Sequence, residues 1–205
     1  MITSYKTVKS KSSGLYKEKG SKFISLVYHV ESRNEIDNIL KAVKKEYHDA
    51  RHRCYAYTLG VETRTFRAND DGEPNHSAGD PILSQIKSLE LTNVLVVVVR
   101  YFGGTKLGIG GLINAYKVAA RDGLTRAQII DRIITNSVEL KYPFSSTNQA
   151  MKLIKECEIK ITNQIFDNHC TIEGKIPLQH LALFQSEIEL LNKLGVEISI
   201  KVDFI

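Results

Sequence analysis

The sequence predicts an α+β protein made of two domains. Val94–Val99 is an uninterrupted aliphatic run, which is typical of a strand buried on both faces. A glycine-rich loop and then a helical pattern follow that strand. Farther along, about 70 residues alternate in the order β-α-β-β-α-β, which is the ferredoxin-like plan. We therefore expect two domains, residues 1–134 and 135–205.

The first domain begins with a segment dotted with lysines and continues with a helix between two strands. Phe23–Val30 and His52–Gly60 predict the strands. Ser32 and Glu35 form a capping box at the start of the helix. The lysines are Lys6, Lys9, Lys11, Lys17, Lys19 and Lys22, and the apolar face of the helix is Ile36, Ile39, Leu40 and Val43.

A polar loop over residues 61–78 is expected to precede a second helix. Asp80 is predicted to cap that helix, with Pro81 in its first turn. The buried strand comes next, and five glycines then occur between residues 103 and 111. The helix that follows them has an apolar face formed by Leu112, Tyr116, Ala119 and Ala120.

The second domain has a regular order of short elements. Ser146 and Gln149 form another capping box, and the Asp167-Asn168 pair is a tight turn between two strands. The strands are expected at 137–142, 158–166, 169–176 and 196–202, with helices from Ser146 to about Cys157 and from Leu181 to Gly195.

Charge is distributed unevenly between the two domains. The net charge of +5 divides into +7 for residues 1–135 and −2 for residues 136–205. The three cysteines, far apart and odd in number, are typical of reduced thiols. No apolar run approaches the roughly 20 residues that span a bilayer. We therefore expect a cytoplasmic protein that does not bind membranes and whose domains meet different partners.

The strand, glycine loop and helix together predict a site for an anion, because this order presents backbone N–H groups. The loop lacks the Gly-Lys-Ser/Thr of a Walker motif, and its glycine spacing does not match the dinucleotide fingerprint. Nucleotide hydrolysis and hydride transfer are therefore disfavoured, and no cofactor is expected. The alternative interpretation is that the glycines only allow the backbone to turn and pack closely.

An acidic loop supplies a second candidate site. Asp70, Asp71 and Glu73, with His52 upstream, could provide acid–base groups or hold a cation. Their spacing matches no calcium loop, and no metal is expected. We favour the alternative that the loop caps a helix and frames one side of a cleft. Cys54 lacks a base partner in sequence and is expected in the core.

Basic and aromatic residues cluster around these loops, which favours nucleic-acid binding. Phe102 is expected to pack in the core. No signature of a sequence-specific DNA reader is present. The basic residues are Arg51, Arg53, Arg64, Arg67, Arg100 and Lys106, and the aromatic residues are Tyr55, Tyr57, Tyr101 and Phe102.

Several sequence blocks between residues 50 and 120 occur in a recognisable order. They are His52-Arg-Cys-Tyr-Ala56, Asp70-Asp-Gly-Glu-Pro74, Ala78-Gly79-x-Pro81-Ile-Leu83 and Val98-Val-Arg-Tyr-Phe-Gly-Gly-Thr-Lys-Leu-Gly108, followed by Gly110-Gly-Leu112 and Ala115-Tyr116. Together these blocks resemble the Impact family, also called the YigZ family, in its bacterial two-domain form. His76-Ser77 stands where a smaller pair is expected in that family.

The resemblance implies a first domain with the βαβ-type fold of a ribosomal protein domain and a ferredoxin-like second domain. That pair is similar to the fourth and fifth domains of elongation factor G, which work on the ribosome. Eukaryotic relatives regulate translation under stress. The second domain does not match their partner-binding extension, so a kinase-regulating role is not carried over.

Three functions follow as hypotheses. The first is a non-enzymatic, RNA- or ribosome-associated protein linked to regulation of translation. The second is a hydrolase that uses Asp70, Asp71, Glu73 and His52, and the third is a protein-interaction module based on the acidic second domain. In the first hypothesis, phosphates are contacted by Arg51, Arg53, Arg100, Lys106 and the backbone of Gly103, Gly104 and Gly108.

Overall fold

The computed structural model describes residues 2–61 and 63–203. The described chain divides into two compact units, one formed by residues 5–132 and the other by residues 133–203 with 2–4. Each unit combines helices with a main sheet whose neighbouring strands are antiparallel, which confirms the α+β class. In the described ranges, no helix is both long and apolar enough to cross a membrane.

The first unit is built on a five-stranded sheet with the order β2-β3-β6-β4-β5. Strands β3 and β4 flank β6 and are both antiparallel to it. They are therefore parallel to each other, and α1 connects them in a split βαβ arrangement. The elements are β1 (Ser4–Val8), β2 (Ser12–Glu18), β3 (Ser21–His29), α1 (Arg33–Glu46), β4 (His52–Leu59), β5 (Thr65–Asn69), α2 (Gly79–Ser88), β6 (Val94–Tyr101), α3 (Gly108–Thr125) and β7 (Ile129–Ile133).

Strand β6 is the centre of the first unit, and every residue of Val94–Val99 is fully buried. Val94, Val96 and Val98 pack in one core cluster with α2 and α3. Leu95, Val97 and Val99 pack in a second cluster with α1. The prediction of a strand buried on both faces is confirmed, since helices cover both sides of the sheet.

Four strands were missed by the sequence prediction. Strands β1 and β2 lie within the lysine-dotted opening segment, β5 lies within the expected loop 61–78, and β7 pairs with β1 in a separate two-stranded sheet. Strands β2 and β5 are the edges of the main sheet. An edge strand exposes much of its surface, so its sequence lacks a strong apolar pattern.

The second unit contains a four-stranded antiparallel sheet with the order β11-β8-β10-β9. Numbered within the unit, this order is 4-1-3-2, and the elements follow the predicted β-α-β-β-α-β sequence. Its core includes Leu140, Phe184 and Ile188. The elements are β8 (Thr135–Tyr142), α4 (Thr147–Glu156), β9 (Lys160–Phe166), β10 (Cys170–Pro177), α5 (Leu181–Lys193) and β11 (Ser199–Asp203).

Two of the differences between the second unit and the sequence prediction have a clear local cause. The Ser146 side chain makes no capping bond, because a short 3₁₀ turn over Phe144–Ser146 leads directly into α4. Strand β11 begins at Ser199 rather than at Val196, since Val196 N–H bonds to Leu191 at the end of α5. Both differences arise where the chain enters or leaves a helix.

Candidate functional site

The candidate site is a cleft of about 450 Å³ in the first unit, at the point where β6 ends and α3 begins. Its walls come from the end of β6, the start of β4, the acidic loop and the first turn of α3. The lining residues are Arg51, His52, Glu73, Pro74, Arg100, Phe102, Lys106, Leu107, Gly108, Ile109 and Leu112.

The sheet register brings Arg100 and His52 to the cleft. Arg100 lies opposite Phe23 of β3 on one side and opposite His52 of β4 on the other. The Arg100 guanidinium carbon lies 5.5 Å from the ring centroid of Phe23 and 5.8 Å from that of Phe102. Residues at paired positions share a face of the sheet, so Arg100 and His52 reach the cleft together, with Phe23 buried beside Arg100.

A buried ion pair occupies the interior of the site. Arg100 Nη1 donates to Glu73 Oε1 at 2.6 Å, and the two residues are only 7% and 8% exposed. The Tyr116 hydroxyl donates to the same oxygen at 2.8 Å. Arg100 Nε has no hydrogen-bond partner among the described residues. Glu73 thus neutralises Arg100, which therefore is not the free phosphate-binding cation that we expected from the sequence.

Cys54 lies behind this pair and is fully buried, as the sequence predicted. Its thiol donates to the main-chain oxygen of Asp70 at 3.0 Å and lies 3.3 Å from the Tyr116 hydroxyl. Burial raises the pKa of the Cys54 thiol and of the Tyr116 hydroxyl far above their usual ranges. Both groups therefore stay protonated at neutral pH, and Cys54 is not an activated nucleophile.

Asp70 caps helix α2 across the acidic loop. Its Oδ1 accepts bonds from Ala78 N and Gly79 N at 3.0 and 2.8 Å, and its Oδ2 accepts one from His76 N at 3.0 Å. The expected role of the loop in capping a helix is confirmed. The prediction that Asp80 is the cap is wrong, because α2 begins at Gly79 with Ala78 at the N-cap, two residues before the predicted cap, and Asp70 already accepts these bonds.

Replacing Asp70 by alanine is expected to lower the free energy of unfolding by about 2 kcal/mol, because three backbone donors lose a charged acceptor. Chemical denaturation of this variant and of the control below measures the change in the free energy of unfolding. Asp80→Ala is the matched control, since Asp80 lies in the first turn of α2, and should cost less than about 1 kcal/mol. Equal losses in the two variants would contradict the assignment of the cap.

Asp71, His52 and Arg53 join the acidic loop to β4. Asp71 Oδ2 accepts a bond from Arg53 N at 2.7 Å, and His52 Nδ1 donates to the Asp71 main-chain oxygen at 2.8 Å. Arg53 Nη1 donates to the main-chain oxygens of Tyr47 and Ala50. Asp71 and Arg53 are thus structural residues and do not line the cleft. Of the four acid–base candidates, the structure brings only Glu73 and His52 there.

The glycines of the loop divide into two groups. Gly103 packs against Gly20, and its N–H donates to Ser21 Oγ at 3.1 Å, so this N–H is not free for a ligand. Gly104 and Gly108 have φ values of +90° and +72°. A Cβ on Gly104, Gly108 or Gly110 would meet nothing within 4 Å. At these three glycines the chain thus faces open space.

Exposed cations surround this open backbone. Lys106 and Arg51 are exposed residues of the cleft lining. The contact between Gly103 and Gly20 also places the exposed Lys19 of the β2–β3 turn beside the loop. These side chains supply the net positive charge at the cleft, because the charge of Arg100 is balanced by that of Glu73.

The aromatic residues separate between the two faces of the sheet. Tyr55, Tyr57 and Tyr101 pack in the cluster on the α1 side, away from the cleft residues. Phe102 is 46% exposed and lines the cleft. The prediction that Phe102 packs in the core is therefore wrong, since the chain leaves the sheet at Tyr101.

The sequence prediction missed the pairing of Glu73 with Arg100 and the part played by Tyr116. A signal for the pairing was present, because an arginine at the end of a fully buried strand needs an acidic partner. The acidic loop offered several carboxylates, and only the fold selects Glu73. Tyr116 was assigned to the apolar face of α3, where it is indeed fully buried.

The fold and the cleft define a class: α+β proteins of two units whose central strand ends in a glycine loop beside a buried Arg–Glu pair. Residues 19–124 match the Impact N-terminal domain. The chain belongs to the IMPACT family, which confirms the resemblance inferred from the motifs.

Relatives and one solved structure extend this match. The chain is 39% identical over 132 residues to IMPACT family member YvyE of Bacillus subtilis, covering 64% of this chain and 61% of YvyE. It is 28% identical over 172 residues to YigZ of Escherichia coli, covering 83% and 84% of the two chains. A crystal structure described as a hypothetical protein matches with a TM-score of 0.70 and 25% identity, over 98% of this chain and 97% of that one.

Proposed function

We propose that this protein is a non-enzymatic, cytoplasmic RNA- or ribosome-associated protein that acts in the regulation of translation. Phosphates of the RNA bind at the start of α3. The main support for the proposal is the open backbone at Gly104, Gly108 and Gly110, with Lys106 and Arg51 exposed on the same cleft. Regulation of translation is the role that eukaryotic relatives imply.

The first turn of α3 supports anion binding. No side chain caps this helix, and its first turn contains no acidic residue. The first N–H groups of such a helix lack internal partners and carry partial positive charge. Gly110 has neither a positive φ nor a close neighbour that requires glycine. Glycine at this position is explained if a ligand approaches the backbone closely, because the absence of a Cβ leaves room for it.

The acidic loop does not cancel the positive surface. Glu73 is paired with Arg100, Asp70 accepts three backbone bonds, and Asp71 is held by Arg53. The repulsion that these carboxylates would exert on a phosphate is thereby reduced. The positive surface also lies in the part of the sequence whose net charge is +7. Phosphates contribute much of the affinity of proteins for nucleic acids, so this surface favours RNA as a ligand.

Salt dependence of binding tests the proposal. Replacing Lys106 and Arg51 by alanine is expected to weaken binding to purified ribosomes and to an unstructured RNA. On that RNA, the slope of log K against log salt should fall by about 0.7 for each phosphate that the variant no longer neutralises. Fluorescence anisotropy or sedimentation at several salt concentrations measures both quantities.

The matched control removes the same charge elsewhere. Lys44→Ala with Lys45→Ala takes two exposed lysines from α1 and should leave the slope unchanged. Equal reductions for the two double variants would indicate a diffuse charge effect and contradict the assigned site. The absence of salt-dependent binding to both ligands would overturn the proposed function.

The hydrolase remains a second candidate because Glu73 Oε1 and His52 Nε2 lie 4.0 Å apart in the cleft. We propose it as the alternative to be tested on the same RNA. Hydrolysis predicts that the RNA is cleaved during incubation and that His52→Gln abolishes the cleavage. An intact RNA after prolonged incubation with the unaltered protein contradicts this candidate.

A further inference from the structure

We propose that the cleft receives a single unpaired nucleotide of the bound RNA, with its base inside the cleft and its phosphate at the start of α3. This inference rests on the proposed function and specifies the form of RNA that the site takes. It assigns a base-stacking role to Phe102 and a base-edge role to the buried Arg100–Glu73 pair.

The apolar part of the cleft is the first support. Phe102 and Ile109 are 46% and 60% exposed, and both line the cleft together with Pro74 and Leu107. Duplex RNA presents phosphates and sugars on its outside, and these do not cover an aromatic ring. An unpaired base has a flat π face that can stack on Phe102.

The charge distribution is the second support. Two exposed cations, Lys106 and Arg51, line the cleft, whereas the buried Arg100–Glu73 pair is neutral overall. A phosphate is attracted to the exposed cations and gains little from the neutral pair. An uncharged base can contact the neutral pair without placing an unbalanced charge in the cleft. A nucleotide combines these two chemical groups in one ligand.

The unpartnered Arg100 Nε is the third support. This nitrogen is buried and has no hydrogen-bond partner in the described ranges, although Arg100 lines the cleft. A buried donor without an acceptor is costly. The edges of the bases carry carbonyl oxygens and ring nitrogens, which accept such a bond once a side-chain movement at the cleft wall exposes Nε. The cleft volume of about 450 Å³ also lies within the range of small-ligand sites, about 300–1,000 Å³.

The test compares one RNA strand in two forms. The probe is a labelled RNA of about 12 nucleotides without self-complementarity, a length within the usual site sizes of single-strand binders. The protein should bind this strand at least about tenfold more tightly than the same strand annealed to its complement. Phe102→Ala should reduce single-strand affinity about tenfold, as expected when one base no longer stacks, and leave duplex affinity unchanged.

Phe66→Ala is the matched control, because Phe66 is 59% exposed, lies near a lysine as Phe102 lies near an arginine, and does not line the cleft. It should bind both RNA forms as the unaltered protein does. Phe102→Leu keeps an apolar side chain without a π face, so it should show most of the same loss of single-strand affinity. It replaces Phe102→Ala in the test if that variant fails to fold.

The outcomes separate this inference from the proposed function. The nucleotide site is overturned if the protein binds the two RNA forms equally, or if both Phe102 variants keep the single-strand affinity of the unaltered protein. In either case, RNA binding that still depends on Lys106 would leave the proposed function standing. The nucleotide site is also overturned if a glutamate-rich peptide displaces the RNA and the affinity for that peptide depends on Phe102. Loss of all salt-dependent RNA binding overturns both proposals.

Discussion

Replacing Glu73 by alanine is expected to lower the free energy of unfolding by about 3–5 kcal/mol. The substitution leaves the Arg100 guanidinium buried without its counter-charge, and it removes the acceptor of the Tyr116 hydroxyl. A buried charge without a partner is among the largest single destabilising effects. Denaturant unfolding followed by circular dichroism measures the change.

Two further variants identify the cause of this destabilisation. Glu46→Ala removes an exposed carboxylate of α1 and should change stability by less than about 0.5 kcal/mol. The double variant Glu73→Met with Arg100→Met removes both charges and should recover much of the stability. A double variant as unstable as Glu73→Ala would mean that the packing of Glu73, rather than the buried charge, dominates.

Replacing Gly103 by alanine is expected to cost about 3 kcal/mol or more, because the new Cβ would overlap the Gly20 carbonyl carbon and the Ser21 nitrogen. Both of these atoms are backbone and cannot turn aside as a side chain does. The β2–β3 turn or the glycine loop must shift. Thermal unfolding of the variant measures the destabilisation.

Gly110→Ala is the matched comparison and should behave in the opposite way. Its Cβ would meet nothing within 4 Å, and alanine is favoured over glycine in a helix by roughly 0.5–1 kcal/mol. We therefore expect an unchanged or higher melting temperature. A drop as large as that of Gly103→Ala would show that both glycines are needed for folding and would remove the argument for a ligand at Gly110.

Strong periodic patterns allowed much of the fold to be predicted. The aliphatic run of β6 needs burial on both faces, and the short elements of the second unit recur in a recognisable order. Edge strands β2 and β5 carry no comparable pattern, because much of each strand stays exposed. Their pairing is decided by neighbours that are distant in sequence.

The candidate site was predictable only in its parts. The motifs indicated Arg100, the acidic loop and the glycines as chemically important. They did not indicate that Glu73 pairs with Arg100, that Asp70 caps α2, or that Phe102 is exposed. Each of these facts depends on which loop the sheet register places beside which strand end.

The sequence by itself determined the α+β class, the family and the buried central strand, because these depend on local periodicity and on contiguous motifs. The tertiary structure decided which charges are neutralised and which are available. Arg100 is neutralised by a residue 27 positions away, whereas Lys106 and Arg51 stay exposed. The physical reason is that burial and pairing of a charge depend on contacts between distant segments, and the order of residues along the chain does not contain those contacts.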